Sequence, residues 1–417
     1  MLWKHVLLSI GLFTLRAATM AQETDPFLPY LTGQPPVIEE DLGTEIMSDS
    51  IRVHKLIFRS RVVETPQGPV PTLVYAAIAY PAGKGPFPGM LRLHGGGGYA
   101  DIPAAISSAR AGYASIVLDV PGIAGSKAKH AKSTGAWQQR KNITASPDVT
   151  YSTLFDAVLG SIQALYLLRA QPDVDASRMC VAGSSWGGYT ATMVAALTDK
   201  DIKATWSVFG TGHFTLGAYE KAHIEKLPPA ERTLFERWLD PKSRVANITK
   251  PYYISTASND RHWSWMAVQA TNDLIKGPVN QFFSPNDNHS MTYPGSKNML
   301  RFFDHYVKGT APALPTVIAG KSKSLKDGRV AVHFSAKDVP QLLNAQVWYA
   351  PADTLWTSKK WIATPAETDG KGYVAYVPAD MAKQSFDWYA IVNAKNDKAW
   401  GKDTVASSST IQIVHIK

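Results

Sequence analysis

Three features are scarce in this sequence, and each absence excludes a class of protein. A single cysteine, Cys180, rules out an internal disulfide and indicates a buried structural thiol. The apolar stretch Val6–Leu15 is too short to span a bilayer, and no later segment is longer and equally apolar. The 43 Lys and Arg residues outnumber 34 Asp and Glu, but they are spread along the chain without a basic arm or nucleic-acid motif. We therefore predict no membrane span and no nucleic-acid partner.

Metal and nucleotide sites are also not indicated. Four histidines, His94, His213, His262 and His289, lack the close ligand spacing of a metal site. The run Gly95–Gly98 lacks both the lysine of a P-loop and the spacing of a dinucleotide motif. The sequence therefore predicts neither a metal nor a cofactor.

The N-terminus has the pattern of a secretory signal peptide over residues 1–21. Lys4 and His5 precede the apolar stretch, and small residues lead to Ala21 before Gln22. This pattern predicts a secreted or periplasmic protein. A polar, proline-rich lead-in over residues 22–44 follows.

With 417 residues and 45% apolar content, the chain can bury a full core and has room for two domains. Over residues 45–310, apolar strand patterns alternate with helical ones, which predicts an α/β fold with a mostly parallel sheet covered on both faces. The charged helical segment 217–247 interrupts this pattern, either as a cap near the site or as a surface excursion. Over residues 311–417, short alternating strands predict a small all-β, sandwich-like domain. Its five tryptophans are expected in the core or at the domain interface: Trp348, Trp356, Trp361, Trp388 and Trp400.

The segment Gly183–Gly187 matches the Gly-x-Ser-x-Gly pattern of a nucleophile elbow. A short apolar run precedes it and small, helix-compatible residues follow, as expected for a sharp strand-to-helix turn. Ser185 fits the central position. Ser184 fits less well, because Ala182 and Trp186 would then take the two small-residue positions.

A serine nucleophile needs a base and a group that orients the base. In this architecture the expected chain order is serine, acid and histidine, each after a strand. Asp260 follows the predicted strand Tyr252–Thr256, and His289 follows Val279–Phe283. The sequence therefore predicts Ser185, Asp260 and His289 as catalytic residues.

Other residues compete for these roles. Asp287 is too near His289 in sequence to reach the far ring nitrogen easily, and Asp119 ends an earlier strand. His262 is a weaker base candidate because it precedes the last strand. His213, after the strand that follows the elbow, is expected to line the site instead.

An oxyanion hole is expected from two backbone N–H groups, one of them from the residue after the nucleophile, Trp186. The second is expected from the glycine run after the third strand, where Gly96 is the first choice and Gly97 the next. His94 and Tyr99, which flank this run, are predicted to line the substrate site.

Together these motifs resemble the α/β-hydrolase superfamily. The motifs Leu93-His-Gly-Gly-Gly-Gly, Val181-Ala-Gly-Ser-Ser-Trp-Gly-Gly-Tyr, Ser258-Asn-Asp and Asn288-His289 are similar to those of the branch with dienelactone hydrolases, prolyl oligopeptidases and acetyl xylan esterases. The resemblance covers residues 45–310 and implies the α/β-hydrolase fold, with Ser185 as nucleophile, Asp260 as orienting acid and His289 as general base. Two departures stand out. About thirty residues before the first predicted strand leave no room for the upstream propeller of the peptidases, and small dienelactone hydrolases do not carry a C-terminal sandwich as standard.

The leading hypothesis is an exported serine esterase that cleaves acyl esters, such as acetyl esters, of a carbohydrate or a similar ester through a Ser-His-Asp triad and an acyl-enzyme. Its expected partner is a small-molecule or oligosaccharide ester. One alternative is a prolyl-oligopeptidase-like peptidase or amidase with the same triad. Another is a non-catalytic carbohydrate-binding protein on a hydrolase scaffold. The oligomeric state is not predicted.

Overall fold

The computed structural model describes residues 24–124, 131–217, 219–397 and 403–416. The predicted signal peptide, residues 1–21, lies outside the described residues, as does Trp400. In the described ranges, no helix has both the length and the apolar character needed to cross a membrane.

A nine-stranded sheet forms the centre of the first part of the chain, in the order β1-β2-β3-β5-β4-β6-β7-β8-β9. Its strands are β1 (Val37–Ile46), β2 (Arg52–Thr65), β3 (Gly68–Tyr80), β4 (Phe87–Leu93), β5 (Ala114–Leu118), β6 (Val174–Ser184), β7 (Ala204–Val208), β8 (Tyr252–Ala257) and β9 (Val279–Ser284). Strands β4 to β9 pair in parallel, whereas β1, β2 and β3 pair antiparallel, as do β3 and β5. The parallel strands place their carboxyl ends, and the loops that follow them, at one edge of the sheet.

Seven helices accompany this sheet. They are α1 (Ile102–Arg110), α2 (Thr153–Arg169), α3 (Trp186–Leu197), α4 (Tyr219–Ile224), α5 (Pro229–Trp238), α6 (Trp265–Asn272) and α7 (Met299–Phe303), the last continued by a π-helical turn over Asp304–Lys308. Successive residues of β3 enter different apolar clusters: Ala76 and Ile78 belong to the main core, while Ala77 and Ala79 belong to the cluster that contains α1. Because side chains alternate along a strand, this shows that apolar side chains cover both faces of the sheet.

Most of strand β1 lies within residues 22–44, for which the sequence predicts only a polar lead-in. All ten of its residues are exposed. Among the described strands it pairs only with β2, at the edge of the sheet. It therefore has no buried face, and no alternating apolar pattern indicates it in the sequence.

The charged segment 217–247 forms α4 and α5. Phe235 and Trp238 of α5 are buried, and the Tyr189 hydroxyl of α3 donates a hydrogen bond to the Leu239 carbonyl at 3.0 Å. Glu220 of helix α4 contacts His262, in the loop after β8. The segment therefore packs on the nucleophile helix and also borders the site.

The C-terminal part is an antiparallel sheet in the order β10-β11-β14-β13-β12-β15-β16, with β17 paired to β15. Its strands are β10 (Thr316–Ser324), β11 (Val330–Lys337), β12 (Leu342–Pro351), β13 (Ile362–Thr368), β14 (Tyr373–Val377), β15 (Phe386–Lys395), β16 (Thr404–Ser408) and β17 (Gln412–Val414). The mixed α/β sheet followed by an all-β unit confirms the predicted fold class.

Strand β15 connects the two parts. Trp388 and Ala390 point into the core of the β unit, while Tyr389 and Ile391 belong to the main core of the α/β part. Trp361 packs edge-on against Tyr389 with ring centroids 4.9 Å apart. The β unit is therefore joined to the α/β part through a buried apolar face.

Candidate active site

Ser185 occupies a strained turn between β6 and α3, with φ 58° and ψ −126°. A Cβ atom on Gly183 would lie 2.0 Å from the Gly187 carbonyl oxygen, and one on Gly187 would lie 2.3 Å from the Leu93 carbonyl oxygen. Because neither backbone contact can relax easily, only glycine fits at these two positions. The Ser185 N–H donates to the Val208 carbonyl at 2.8 Å, which fixes the turn against β7.

The loops after β8 and β9 bring an acid and a histidine to Ser185. The Ser185 hydroxyl lies 2.9 Å from Nε2 of His289, and Nδ1 of His289 lies 2.8 Å from Oδ2 of Asp260. The carboxylate can only accept, so Nδ1 carries the proton and Nε2 is left to accept from the serine hydroxyl. This arrangement can remove the serine proton as the oxygen attacks a carbonyl carbon.

Asp260 is fully buried and held by the backbone of its own turn. Its Oδ1 accepts from the N–H groups of His262 at 2.7 Å and Trp263 at 3.2 Å. The Thr256 hydroxyl lies 3.4 Å from Oδ2. These donors compensate the buried carboxylate and direct Oδ2 toward His289.

Aromatic side chains surround the His289 ring, although the sequence did not indicate most of them. The ring centroid lies 4.4 Å from Phe209, 5.0 Å from His262 and 5.9 Å from Trp263. Phe209 itself has a positive φ of 68° directly after β7. Packing on these sides restricts the orientations that the imidazole can adopt.

The structure corrects one of the two oxyanion-loop predictions. The Gly97 N–H already donates to the Ile123 carbonyl at 3.0 Å, so this amide is engaged within the protein. Among the described residues, no backbone hydrogen bond engages the Gly96 N–H. A Cβ on Gly96 would lie 3.0 Å from Cδ1 of the Trp186 indole. Gly95 is nearer still to the nucleophile, since a Cβ there would lie 3.7 Å from the Ser185 hydroxyl oxygen.

His94 holds this glycine loop in place. Its Nδ1 lies 2.8 Å from the Gly95 carbonyl oxygen, and its Nε2 accepts from the Val120 N–H at 3.0 Å. Burial lowers the pKa of His94, which favours the neutral ring that these two bonds require. The sequence suggested only a lining role for His94 and gave no sign of this contact.

Two cavities open beside the elbow and share Ser184, Trp206, Val208 and Met299 in their walls. The smaller, about 240 Å³, is lined also by His94 and Tyr99. The larger, about 630 Å³, is lined mainly by apolar side chains and reaches Phe209 and Ser290, which border His289. Other lining residues of the larger cavity are Met291, Thr292, Ser296, Lys297 and Leu300.

His213, which the sequence predicts to line the site, is not among the residues that line these two cavities. The buried Asp240 carboxylate accepts from the N–H groups of His213 at 2.8 Å and Phe214 at 3.2 Å. These bonds hold the segment in a turn with φ 59° at His213, whose Nδ1 lies 3.3 Å from the Thr271 hydroxyl.

The rival residues have partners of their own. Asp119 accepts from the N–H groups of Ala100 at 2.7 Å and of Ser133 at 3.3 Å. Asp287 accepts from the Ser284 and Thr292 hydroxyls at 2.6 and 2.8 Å. Both carboxylates stabilise the loops around them, and neither has a hydrogen bond to His289 within the described residues.

A second acid–histidine pair, which the sequence did not predict, lies next to His289. Nδ1 of His262 is 3.1 Å from Oε1 of the buried Glu220, and this hydrogen bond raises the pKa of His262. Glu220 lies on a short charged helix far from His262 in sequence, so no local pattern predicts this contact. Within the described residues, no group of three or more His, Cys, Asp or Glu side chains is arranged to hold a metal ion.

Two family models match parts of the chain. The acetyl xylan esterase model (AXE1) matches residues 44–222, and the model of PhoPQ-activated pathogenicity-related proteins matches residues 157–355. A search of curated proteins finds no match.

Solved structures give the fold. An acetyl xylan esterase from Paenibacillus sp. R4 is 20% identical, with a TM-score of 0.52 over 67% of this chain and 92% of that one. Acetyl xylan esterase 1 from Thermoanaerobacterium sp. JW/SL YS485 is 18% identical, with a TM-score of 0.52 over 64% of this chain and 88% of that one. The chain therefore has the α/β-hydrolase fold, as its motifs predict, and the partial AXE1 match supports the prediction of a carboxylic ester hydrolase.

Proposed function

We propose that this α/β hydrolase is an exported serine esterase that removes acyl groups, acetyl among them, from a carbohydrate through an acyl-enzyme. The observation that carries the proposal is the continuous chain of contacts from Ser185 through His289 to the buried Asp260, at 2.9 and 2.8 Å. A hydroxyl, a neutral imidazole and a carboxylate in this order are the groups that nucleophilic acyl transfer requires.

In the acylation step, Nε2 of His289 takes the Ser185 proton as the oxygen attacks the ester carbonyl carbon. The tetrahedral intermediate then collapses, the bond to the alcohol oxygen breaks, and His289 returns the proton to that oxygen. In deacylation, water attacks the acyl carbon, His289 takes the water proton and returns it to the Ser185 oxygen, and the acid is released.

The negative oxygen of both intermediates needs preorganised donors. We assign these to the N–H of Trp186, at the first turn of α3, and the N–H of Gly96. The N-terminal end of α3 adds a favourable dipole at the same place.

The carbohydrate-ester part rests on the partial match to the acetyl xylan esterase model and on the chemistry of the site. The larger cavity, about 630 Å³, offers an apolar compartment next to His289 in which the acyl group can bind. Export rests on the sequence pattern of residues 1–21 alone.

A substrate panel tests the proposal. The chain from Gln22 onward and its Ser185→Ala variant are assayed on p-nitrophenyl acetate, acetylated xylo-oligosaccharides and dipeptidyl amides. We expect the wild type to cleave the first two and the variant to be inactive. Preferential cleavage of the amides would replace the proposal by the peptidase alternative, and equal activity of wild type and variant would reject it.

A second experiment tests the acyl compartment. Met299 lines both cavities, so the larger side chain in Met299→Trp should reduce the volume beside this shared wall. We expect kcat/KM for p-nitrophenyl octanoate to fall by about tenfold or more, with a smaller loss for the acetate ester. Equal losses for both esters would contradict this placement of the acyl group.

A further inference from the structure

The C-terminal β unit contacts the loops that carry Asp260 and His289. The hydrogen bonds nearest to Asp260 and His289 come from the segment between β12 and β13, residues 356–361, which we call the buttress segment. The indole Nε1–H of Trp356 donates to the backbone carbonyl of Asp260 at 2.8 Å. This bond links the β unit directly to the residue proposed to orient the base.

Two further contacts tie the buttress segment to the same loops. The Asn259 side-chain amide donates to the Lys359 carbonyl at 2.7 Å, immediately before Asp260. Asn286 pairs with the Trp361 backbone in both directions, donating to its carbonyl at 2.9 Å and accepting from its N–H at 2.8 Å. Asn286 lies three residues before His289 and has a φ of 59°.

The buttress segment is itself anchored within the β unit. Nζ of Lys359 lies 2.8 Å from Oδ2 of Asp387 on β15, and both side chains are at most 3% exposed. The same Nζ donates to the carbonyls of Pro351 and Ala352 at the end of β12. The segment therefore has a fixed position from which it can restrain its neighbours.

The Asp260 carbonyl lies at the turn that orients the carboxylate. The N–H groups of His262 and Trp263, two and three residues further along the chain, hold Oδ1 of Asp260. Restraining this carbonyl therefore restrains the two amides that aim Oδ2 at His289. A displacement of about 1 Å in such a group is enough to slow a reaction by orders of magnitude.

We infer that the β unit helps to position the proposed orienting acid, and that Trp356 is a positioning residue whose indole N–H acts through the Asp260 turn. The inference rests on the proposed function, because it assumes that Asp260 orients His289. A unit with this role should affect turnover more than substrate affinity, since Trp356 acts on the base and not on the bound ester.

The test compares two tryptophans on the same segment. Trp356→Phe keeps an aromatic ring and removes the hydrogen-bonding N–H. The matched control is Trp361→Phe, because Trp361 bonds to Asn286 through its backbone, which the substitution keeps, and its buried indole N–H has no hydrogen-bond partner among the described residues. For Trp356→Phe with p-nitrophenyl acetate we expect kcat to fall about 5- to 10-fold with KM within twofold of wild type, as for one lost positioning hydrogen bond.

The control should keep kcat within twofold. Wild-type kcat in Trp356→Phe, or an equal loss of kcat in Trp361→Phe, would overturn the inference. Thermal unfolding of each variant checks the fold. Asn286→Ala, which removes the two hydrogen bonds between the Asn286 side chain and the Trp361 backbone, is a second variant with the same expected change in kcat. Ser185→Ala is assayed in parallel: if it remains active, the proposed function fails whatever the tryptophan variants show.

Discussion

Replacing Asp260 by asparagine tests the proposed role of the buried acid most specifically. Two backbone N–H groups hold Oδ1, so an asparagine would keep its oxygen there and turn its NH₂ group toward His289. A donor would then face Nδ1, and the imidazole would have to move its proton to Nε2. In that tautomer Nε2 cannot accept the Ser185 proton.

The expected loss is large because the base is present in the wrong form. We expect kcat on p-nitrophenyl acetate to fall by about 10³- to 10⁴-fold, equivalent to about 4–5.5 kcal/mol in the activation free energy. KM should change little, since Asp260 is buried and does not reach the substrate.

The matched control is Asp240→Asn, because Asp240 is also a fully buried carboxylate that accepts backbone N–H groups. It contacts none of the three proposed catalytic residues, and kcat should stay within about threefold of wild type. A kcat of Asp260→Asn within tenfold of wild type would refute the reasoning. So would an equal loss in the control.

Two further predictions concern stability. Gly187→Ala would place Cβ 2.3 and 2.5 Å from the Leu93 and His94 carbonyl oxygens, so we expect a loss of at least about 1–3 kcal/mol in unfolding free energy together with loss of activity. Unchanged urea unfolding would contradict this. Lys359→Met leaves Asp387 buried without its cation and should cost about 3–5 kcal/mol at pH 8. Burial already raises the pKa of Asp387, and losing Lys359 raises it further. An acid with a raised folded-state pKa contributes less stability as the pH rises above its unfolded value of 3.8, so the loss should be smaller at pH 4.5. Equal losses at the two pH values would argue against an uncompensated carboxylate.

The parallel strands and the elbow were accessible from the sequence for physical reasons. Strand β5, Ala114–Leu118, is buried at every position and is apolar except for Ser115, which marks it clearly. The close backbone contacts around Gly183 and Gly187 exclude any residue but glycine, so the Gly-x-Ser-x-Gly pattern predicts the turn directly.

Features that depend on contacts distant in sequence were not accessible. Nothing local marks the engagement of the Gly97 amide by Ile123 or the orientation of His213 by Asp240. Likewise, the contact between Trp356 and the Asp260 carbonyl joins residues 96 positions apart. The sequence pattern also did not indicate strands β10, β13 and β16 individually. Strand β13, for example, has no buried residue, so its apolar alternation is weak.

Covalent labelling of the folded protein tests the central claim most directly. A fluorophosphonate reacts with a serine only when a neighbouring base activates it. After labelling and peptide mapping, we predict one adduct on Ser185, no adduct in Ser185→Ala, and much slower labelling in His289→Ala. An adduct on Ser184, or none on the folded wild type, would contradict the proposed nucleophile.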